Sequence, residues 1–234
     1  MPPLALVTGA AHRLGKVFAL TLARQGFDIV LHYHQSSDAA LQTQAEIESI
    51  GTRVILAEAN LTDPAQIQSL ISNLNSLNIL VNSAAFMPSG NVDALTLENW
   101  DTALDLNLRA PFLLAQECAK KMTEGGLIVN ITDVGAQKAW SRYPSYTVSK
   151  AALESLTRIL ARALAPKIRV NAIAPGFVLQ SDIVSEEEWN RLINRIPLKR
   201  PARTEELASA LEFLWKNEYI TGQTIVVDGG YSLI

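Results

Sequence analysis

The chain of 234 residues has a single cysteine, Cys118. One thiol excludes an internal disulfide framework and a cysteine-built zinc cluster. Its surroundings, FLLAQECAKKM, suit a buried and inert thiol. No apolar stretch reaches the ~18–20 residues of a membrane span. The opening MPPLALVTG lacks a basic n-region and runs straight into a strand, so it does not read as a secretory signal. A cytoplasmic protein without membrane association is expected. Charge is also sparse, at 18% of residues with a formal net charge of −3. No five-residue run is dominated by lysine and arginine, so nucleic acid is not indicated as a partner. There is no Gly/Ser-rich or Pro-rich linker and no repeat. With 48% hydrophobic residues, 1–234 is read as one domain with a sizeable core.

What is present is alternation. Short, nearly continuous apolar runs occur at 4–8, 28–33, 53–57, 78–81, 127–131, 168–172 and 224–227. Helical patterns separate them: from Val17 to a stop at Gly26, 38–50 before Gly51, from Asp63-Pro64, 96–122, 144 to about 165, and 204–216. Asp63 followed by Pro64 is an N-cap with proline at the first helical position. Strands that alternate with helices imply right-handed crossovers and a parallel sheet buried on both faces. The expected fold is α/β and Rossmann-like. It is a doubly wound seven-stranded parallel sheet with helices on both faces, in strand order 3-2-1-4-5-6-7. Within it, 181–195 is polar and suits small helices, and about 178–200 is expected to form a small lid over a substrate.

The first strand runs into Thr8-Gly9-Ala10-Ala11-His12-Arg13-Leu14-Gly15. Gly9 permits a tight turn, small Ala10 and Ala11 allow backbone amides near a pyrophosphate, and Gly15 allows close helix packing. Arg13 stands where a third glycine is common. A surface arginine in a plain turn is the bland alternative to an arginine that faces phosphate. The second strand ends LHYHQSS without the acid that an NAD-selective site places on the ribose. Arg13, His32, Tyr33, His34 and Ser36 offer donors and positive charge to a 2′-phosphate, so NADPH is the expected cofactor. Asn60 and Leu61 end the third strand near an adenine edge. Asn82, Ser83 and Ala84 end the fourth, where a ribose and nicotinamide would pass. The histidines have no third ligand, so no metal site is expected.

Tyr146 and Lys150 are four apart on a helix and share a face. Asp133 lies just past the fifth strand. A phenol, an ammonium and a carboxyl gathered there suit proton transfer to a carbonyl or imine. An adjacent ammonium favours phenolate, and a phenol pKa of about 7 would need roughly 4 kcal/mol of differential stabilisation. Trp140, Tyr143 and Trp189 could wall a substrate pocket or pack loops onto the core.

Together, TGAAHRLG, the NSAA turn, Asn107 in LDLNL, Tyr146-x-x-x-Lys150, IRVNAIAPG and TGQTIVVDGG resemble the short-chain dehydrogenase/reductase family over essentially the whole chain. More narrowly the chain resembles pteridine reductases and bacterial dihydromonapterin reductases. Arg13, LHYHQSS and Asp133, which replaces a serine common in the wider family, carry that likeness; Phe86 matches an aromatic that stacks on pterin. Gln35, Ala84 and Ala85 depart from the narrower pattern.

The resemblance implies that Tyr146 donates a proton and that Lys150 binds the nicotinamide ribose. It also implies that Asn107 holds a relay water and that Pro175, Gly176 and Val178 close over the nicotinamide. Phe86, Asp133, Tyr146 and Pro175 would meet the substrate. It further implies a homotetramer packed through long helices. The expected activity is NADPH-dependent reduction of a dihydropterin. Reduction of a 3-oxoacyl thioester and a cofactor sensor without catalysis are the alternatives.

Overall fold

A computed structural model describes residues 2–181 and 184–234. Among these residues the chain forms seven strands and nine α-helices. The strands are β1 (Leu4–Val7), β2 (Asp28–Tyr33), β3 (Val54–Glu58), β4 (Leu77–Asn82), β5 (Met122–Ile131), β6 (Ile168–Pro175) and β7 (Thr224–Val227). They build one sheet in the order β3-β2-β1-β4-β5-β6-β7, and every neighbouring pair is parallel. The expected fold and strand order are both found.

Successive strand side chains point to opposite faces, and each face buries its own helices. Ala5, Val7, Ile29, Leu31, Val81 and Val129 pack under α1 (Arg13–Arg24), α2 (Ser37–Glu48) and α9 (Thr204–Lys216). Leu6, Val30, Leu80, Ile128 and Val170 pack under α3 (Pro64–Ser72), α5 (Ala110–Ala119) and α7 (Pro144–Leu164). Cys118 is buried on the second face, where desolvation pushes its thiol well up, as an inert packing residue requires.

Several boundaries differ from expectation. Helix α1 begins at Arg13 rather than at Val17, so the whole RLGK turn is helical. The helical pattern over 96–122 is divided. Helix α4 (Leu97–Leu104) passes through a π turn, Asp105–Arg109, into α5. Met122 belongs to β5, where it pairs with Leu77 and is buried. The apolar pattern could not reveal this, because a buried helix end and a buried strand start look alike in sequence. Past β5, one helical turn, α6 (Gly135–Lys138), had not been foreseen. In 178–200 the described residues form one helix, α8 (Glu186–Ile193), anchored by Trp189 against Phe177. Residues 182 and 183 of the expected lid lie outside the described residues.

Candidate active site

Parallel pairing brings the C-terminal ends of the strands to one edge. Strand order reverses between β1 and β4, which opens a crevice there. The loop from β1 to α1 is stitched to the end of β4. The Thr8 hydroxyl oxygen accepts from the Ser83 and Ala84 amides at 2.9 and 3.0 Å. Gly9 has φ +63°, and a Cβ on it would lie 2.9 Å from the Ala84 Cα. At Gly15 a Cβ would lie 2.0 Å from the Gly9 carbonyl oxygen. Gly9 is therefore required by contact as well as by conformation, and Gly15 by contact alone. The amides of Leu14 and Gly15, in the first turn of α1, have no intrahelical partner.

The second strand's end departs from the expectation of a charged phosphate site at His32. His32 is 2% exposed. Its Nδ1 accepts from the Gly9 amide at 3.1 Å, which leaves the proton on Nε2 to be donated to the Ala59 carbonyl at 3.0 Å. Burial, with His34 adding a smaller push, lowers its pKa to about 4. His32 is thus a neutral strut between β1, β2 and β3, with no ring nitrogen left for phosphate. The Ala10 amide is likewise turned into the sheet, donating to the His32 carbonyl at 2.8 Å. His34 is exposed and Ser36 partly so, at the start of α2. Tyr33 donates to Glu58 at 3.4 Å. Arg13 adopts φ +52°, where glycine is easier, and its guanidinium donates to the Leu179 and Gln180 carbonyls at 3.0 and 3.3 Å. It spans the crevice to the segment that follows β6.

Among the other expected contacts, Leu61 is a core residue with its side chain buried. The Asn60 carboxamide oxygen accepts from the Thr62 amide and hydroxyl. Asn82 donates to Asn130 at 2.8 Å, while its own buried Oδ1 has no partner. Pro175 is buried at the end of β6, and a Cβ on Gly176 would lie 2.8 Å from Asp228. Val178 is partly buried against the α1 side of the sheet.

Helix α7 carries Tyr146 and Lys150 toward the end of β5. The Tyr146 hydroxyl donates to Asp133 Oδ2 at 2.8 Å. The other carboxyl oxygen, Oδ1, accepts from the Gly135 amide at 2.7 Å. The Lys150 ammonium donates to the Ile131 carbonyl at 2.6 Å and is 2% exposed. Desolvation raises the pKa of Asp133 above the usual carboxyl value and lowers that of Lys150 to about 8. Tyr146 is pushed well above its ordinary 10, first by burial and then by the Asp133 charge. Both act against the lowering that an adjacent ammonium would favour. Burial is the larger cause, and the Asp133 carboxyl adds to it through its charge and its hydrogen bond.

Asn107 sits in the π turn and is fully buried. Its Oδ1 accepts from the Phe86 amide at 2.8 Å. Its Nδ2 donates to the Phe86 carbonyl at 2.8 Å and the Ser149 hydroxyl at 3.0 Å. Ser149 in turn donates to the Tyr146 carbonyl at 2.7 Å. The Asn107 side chain is thus committed to holding Phe86 and α7. Trp140, Tyr143, Phe177, Trp189 and Tyr231 form one aromatic cluster beside the carboxyl loop. Ser149, Phe177 and Tyr231 had carried no sequence signal. The Asp-x-Gly spacing of an Asx turn could have revealed Gly135. Among the described residues no group of three or more His, Cys, Asp and Glu could hold a metal ion.

A family model described as enoyl-(acyl carrier protein) reductase matches residues 9–232. The chain belongs to this family, within the short-chain dehydrogenases/reductases. It is 36% identical to a 3-oxoacyl-[acyl-carrier-protein] reductase of Synechocystis, over 97% of this chain and 95% of that one. It is also similar to the crystal structure of FolM alternative dihydrofolate reductase 1 from Brucella canis, complexed with NADP. That match has a TM-score of 0.93 and 35% identity, and it covers 99% of this chain and 94% of the other. The angucycline C-6 ketoreductase LanV with bound NADP matches with a TM-score of 0.94 and 30% identity, covering 99% and 96%.

Proposed function

We propose that this protein is an NADPH-dependent reductase of dihydropterins. The observation that carries this reading is the 2.8 Å bond from Tyr146 to Asp133. A carboxyl at this position can hydrogen-bond the amidine-like edge of a pterin and pass a proton to a ring nitrogen. It also keeps the phenol protonated, which suits donation to a C=N bond rather than abstraction from an alcohol. The similarity to FolM supports the same substrate class.

NADPH supplies the hydride. Its phosphates suit the side-chain-free backbone of Gly9 and the first-turn amides of Leu14 and Gly15, and the unpartnered Asn82 oxygen lies at the same edge. The solved relatives with NADP support this cofactor. Arg13, Tyr33, His34 and Ser36 are the candidates for the adenosine end, without His32. Ser83, Ala84, Pro175, Gly176 and Val178 line the nicotinamide end. Tyr146 delivers the proton, Asp133 orients it, and Lys150 holds positive charge beneath both. Asn107 positions Phe86 for stacking on the substrate.

A second reading is reduction of a 3-oxoacyl thioester, the activity that the Synechocystis relative's name carries. The assay that separates the two follows NADPH oxidation with dihydrobiopterin or dihydromonapterin, and in parallel with an acetoacetyl thioester. Turnover of pterin supports the first reading; turnover of the thioester alone overturns it in favour of the second. Tight NADPH binding without turnover of either would indicate a sensor.

We also infer a cytoplasmic homo-oligomer, a tetramer by family habit. Phe112 on α5 and Val148 and Ile159 on one face of α7 are exposed, as a helix-to-helix interface would need.

A further inference from the structure

The Asp133 carboxyl is held by a short turn with an unusual filling. One oxygen receives the Gly135 amide at 2.7 Å, which leaves the other for Tyr146. Gly135 is buried and opens the single turn of α6. Its backbone lies outside the left-handed region, so alanine meets no conformational objection there. Space is the objection. A Cβ at 135 would lie 2.7 and 2.9 Å from Cε3 and Cζ3 of Trp140, and 3.1 Å from Asp133 Oδ1. The missing side chain is what lets the indole press against the back of the turn that presents the carboxyl.

Trp140 is in turn fixed from several sides. It follows Ala139, whose φ of +50° reverses the chain. Its carbonyl accepts from the Tyr143 amide at 3.0 Å and from the Thr147 hydroxyl at 3.4 Å, the residue next to Tyr146. Its ring lies 6.3 Å from that of Tyr143 and 6.5 Å from that of Tyr231. The indole is thus referenced to the same helix that carries the phenol.

We propose that Gly135 and Trp140 are a pair of positioning residues that fix the Asp133 carboxyl against Tyr146 by size complementarity. The inference rests on the reading in which Asp133 acts with Tyr146. Overcrowding the pair or hollowing it displaces the carboxyl, and matching a methyl at 135 to a smaller side chain at 140 returns it.

The test compares Gly135→Ala, Trp140→Leu and the double variant Gly135→Ala/Trp140→Leu with Asp133→Asn, using whichever of the two substrate classes the unaltered enzyme turns over. Each single variant is expected to lose roughly tenfold to a hundredfold in kcat, with the affinity for NADPH unchanged. The alkaline limb of kcat should move to lower pH, as in Asp133→Asn. The double variant should recover most of the rate and the position of the limb. Gly135→Ala with the original rate and limb would overturn the proposal, and so would an impaired Gly135→Ala that the second substitution fails to rescue. Should Gly135→Ala not fold, Trp140→Leu with an unmoved alkaline limb overturns it alone. If Asp133→Asn itself leaves the limb unmoved, the reading of Asp133 falls. If Asp133→Asn moves the limb and Gly135→Ala does not, only the positioning pair falls. Substrate identity is decided separately, by which substrate is consumed.

Discussion

Asp133 raises the proton affinity of two neighbours at once. Its charge pushes the Tyr146 phenol up and also offsets part of the desolvation that lowers Lys150. Removing that charge with Asp133→Asn should therefore lower both, and the alkaline limb of kcat should shift toward acid whichever group it reports. A pH–rate profile checks this, and an unmoved limb would remove the charge of Asp133 from the mechanism. Tyr146→Phe should cost about 10²–10⁴-fold in kcat with NADPH affinity retained, since only the proton donor is lost. His32 gives a prediction in stability. Its folded pKa is about 4 against an ordinary value of 6.5. An unfolded chain takes up the proton as pH falls below about 6.5, while the folded chain resists until about 4. Above that window the group contributes nothing. Through it, stability should fall by on the order of 3 kcal/mol. Denaturant titrations at pH 7 and pH 4.5 measure this, and His32→Gln should flatten the difference.

At the scale of elements, the π turn 105–109 and the glycine loop each rest on contacts between separate segments. The turn exists where Asn107 must face inward to hold both backbone groups of Phe86. Asn107→Ala leaves those groups and Ser149 without their partner, and should cost about 2–4 kcal/mol. Thermal unfolding reads the loss, and a wild-type melting temperature would contradict the role of the turn. In the glycine loop, a methyl on residue 15 cannot coexist with the Gly9 carbonyl 2.0 Å away. Gly15→Ala must shift α1 outward, and NADPH affinity by fluorescence titration should fall more than tenfold, about 1.4 kcal/mol. The alternation of strand and helix was fully legible in the sequence because burial on two faces imposes it residue by residue. The break inside 96–122 was not. A π turn keeps the helical pattern of apolar residues, and Met122 reads equally well as helix or strand.

Across the whole molecule, seven parallel strands place residues from distant segments along one edge. Asp133 from just past β5, Tyr146 and Lys150 from α7, and Phe86 from beyond β4 are brought to one edge only through that topology. The same architecture leaves Phe112, Val148 and Ile159 exposed on α5 and α7. If these faces form subunit contacts, light scattering should give a mass several times 25.5 kDa, and Ile159→Glu should reduce it. A monomer at micromolar concentration would refute the inferred assembly.

The amino-acid sequence by itself determined the fold, the strand order, the glycine cradle and the shared helical face of Tyr146 and Lys150. These follow from local periodicity, turn chemistry and spacing, which are written along the chain. Only the tertiary structure decided the charge and partners of the site residues. It buried His32 between three strands, committed Asn107 to Phe86, sent Arg13 to Leu179 and Gln180, and joined the Asp133 carboxyl to the Tyr146 phenol. Desolvation and hydrogen-bond partners depend on what lies across the crevice, as far as 167 residues away for Arg13, and no local pattern encodes that distance.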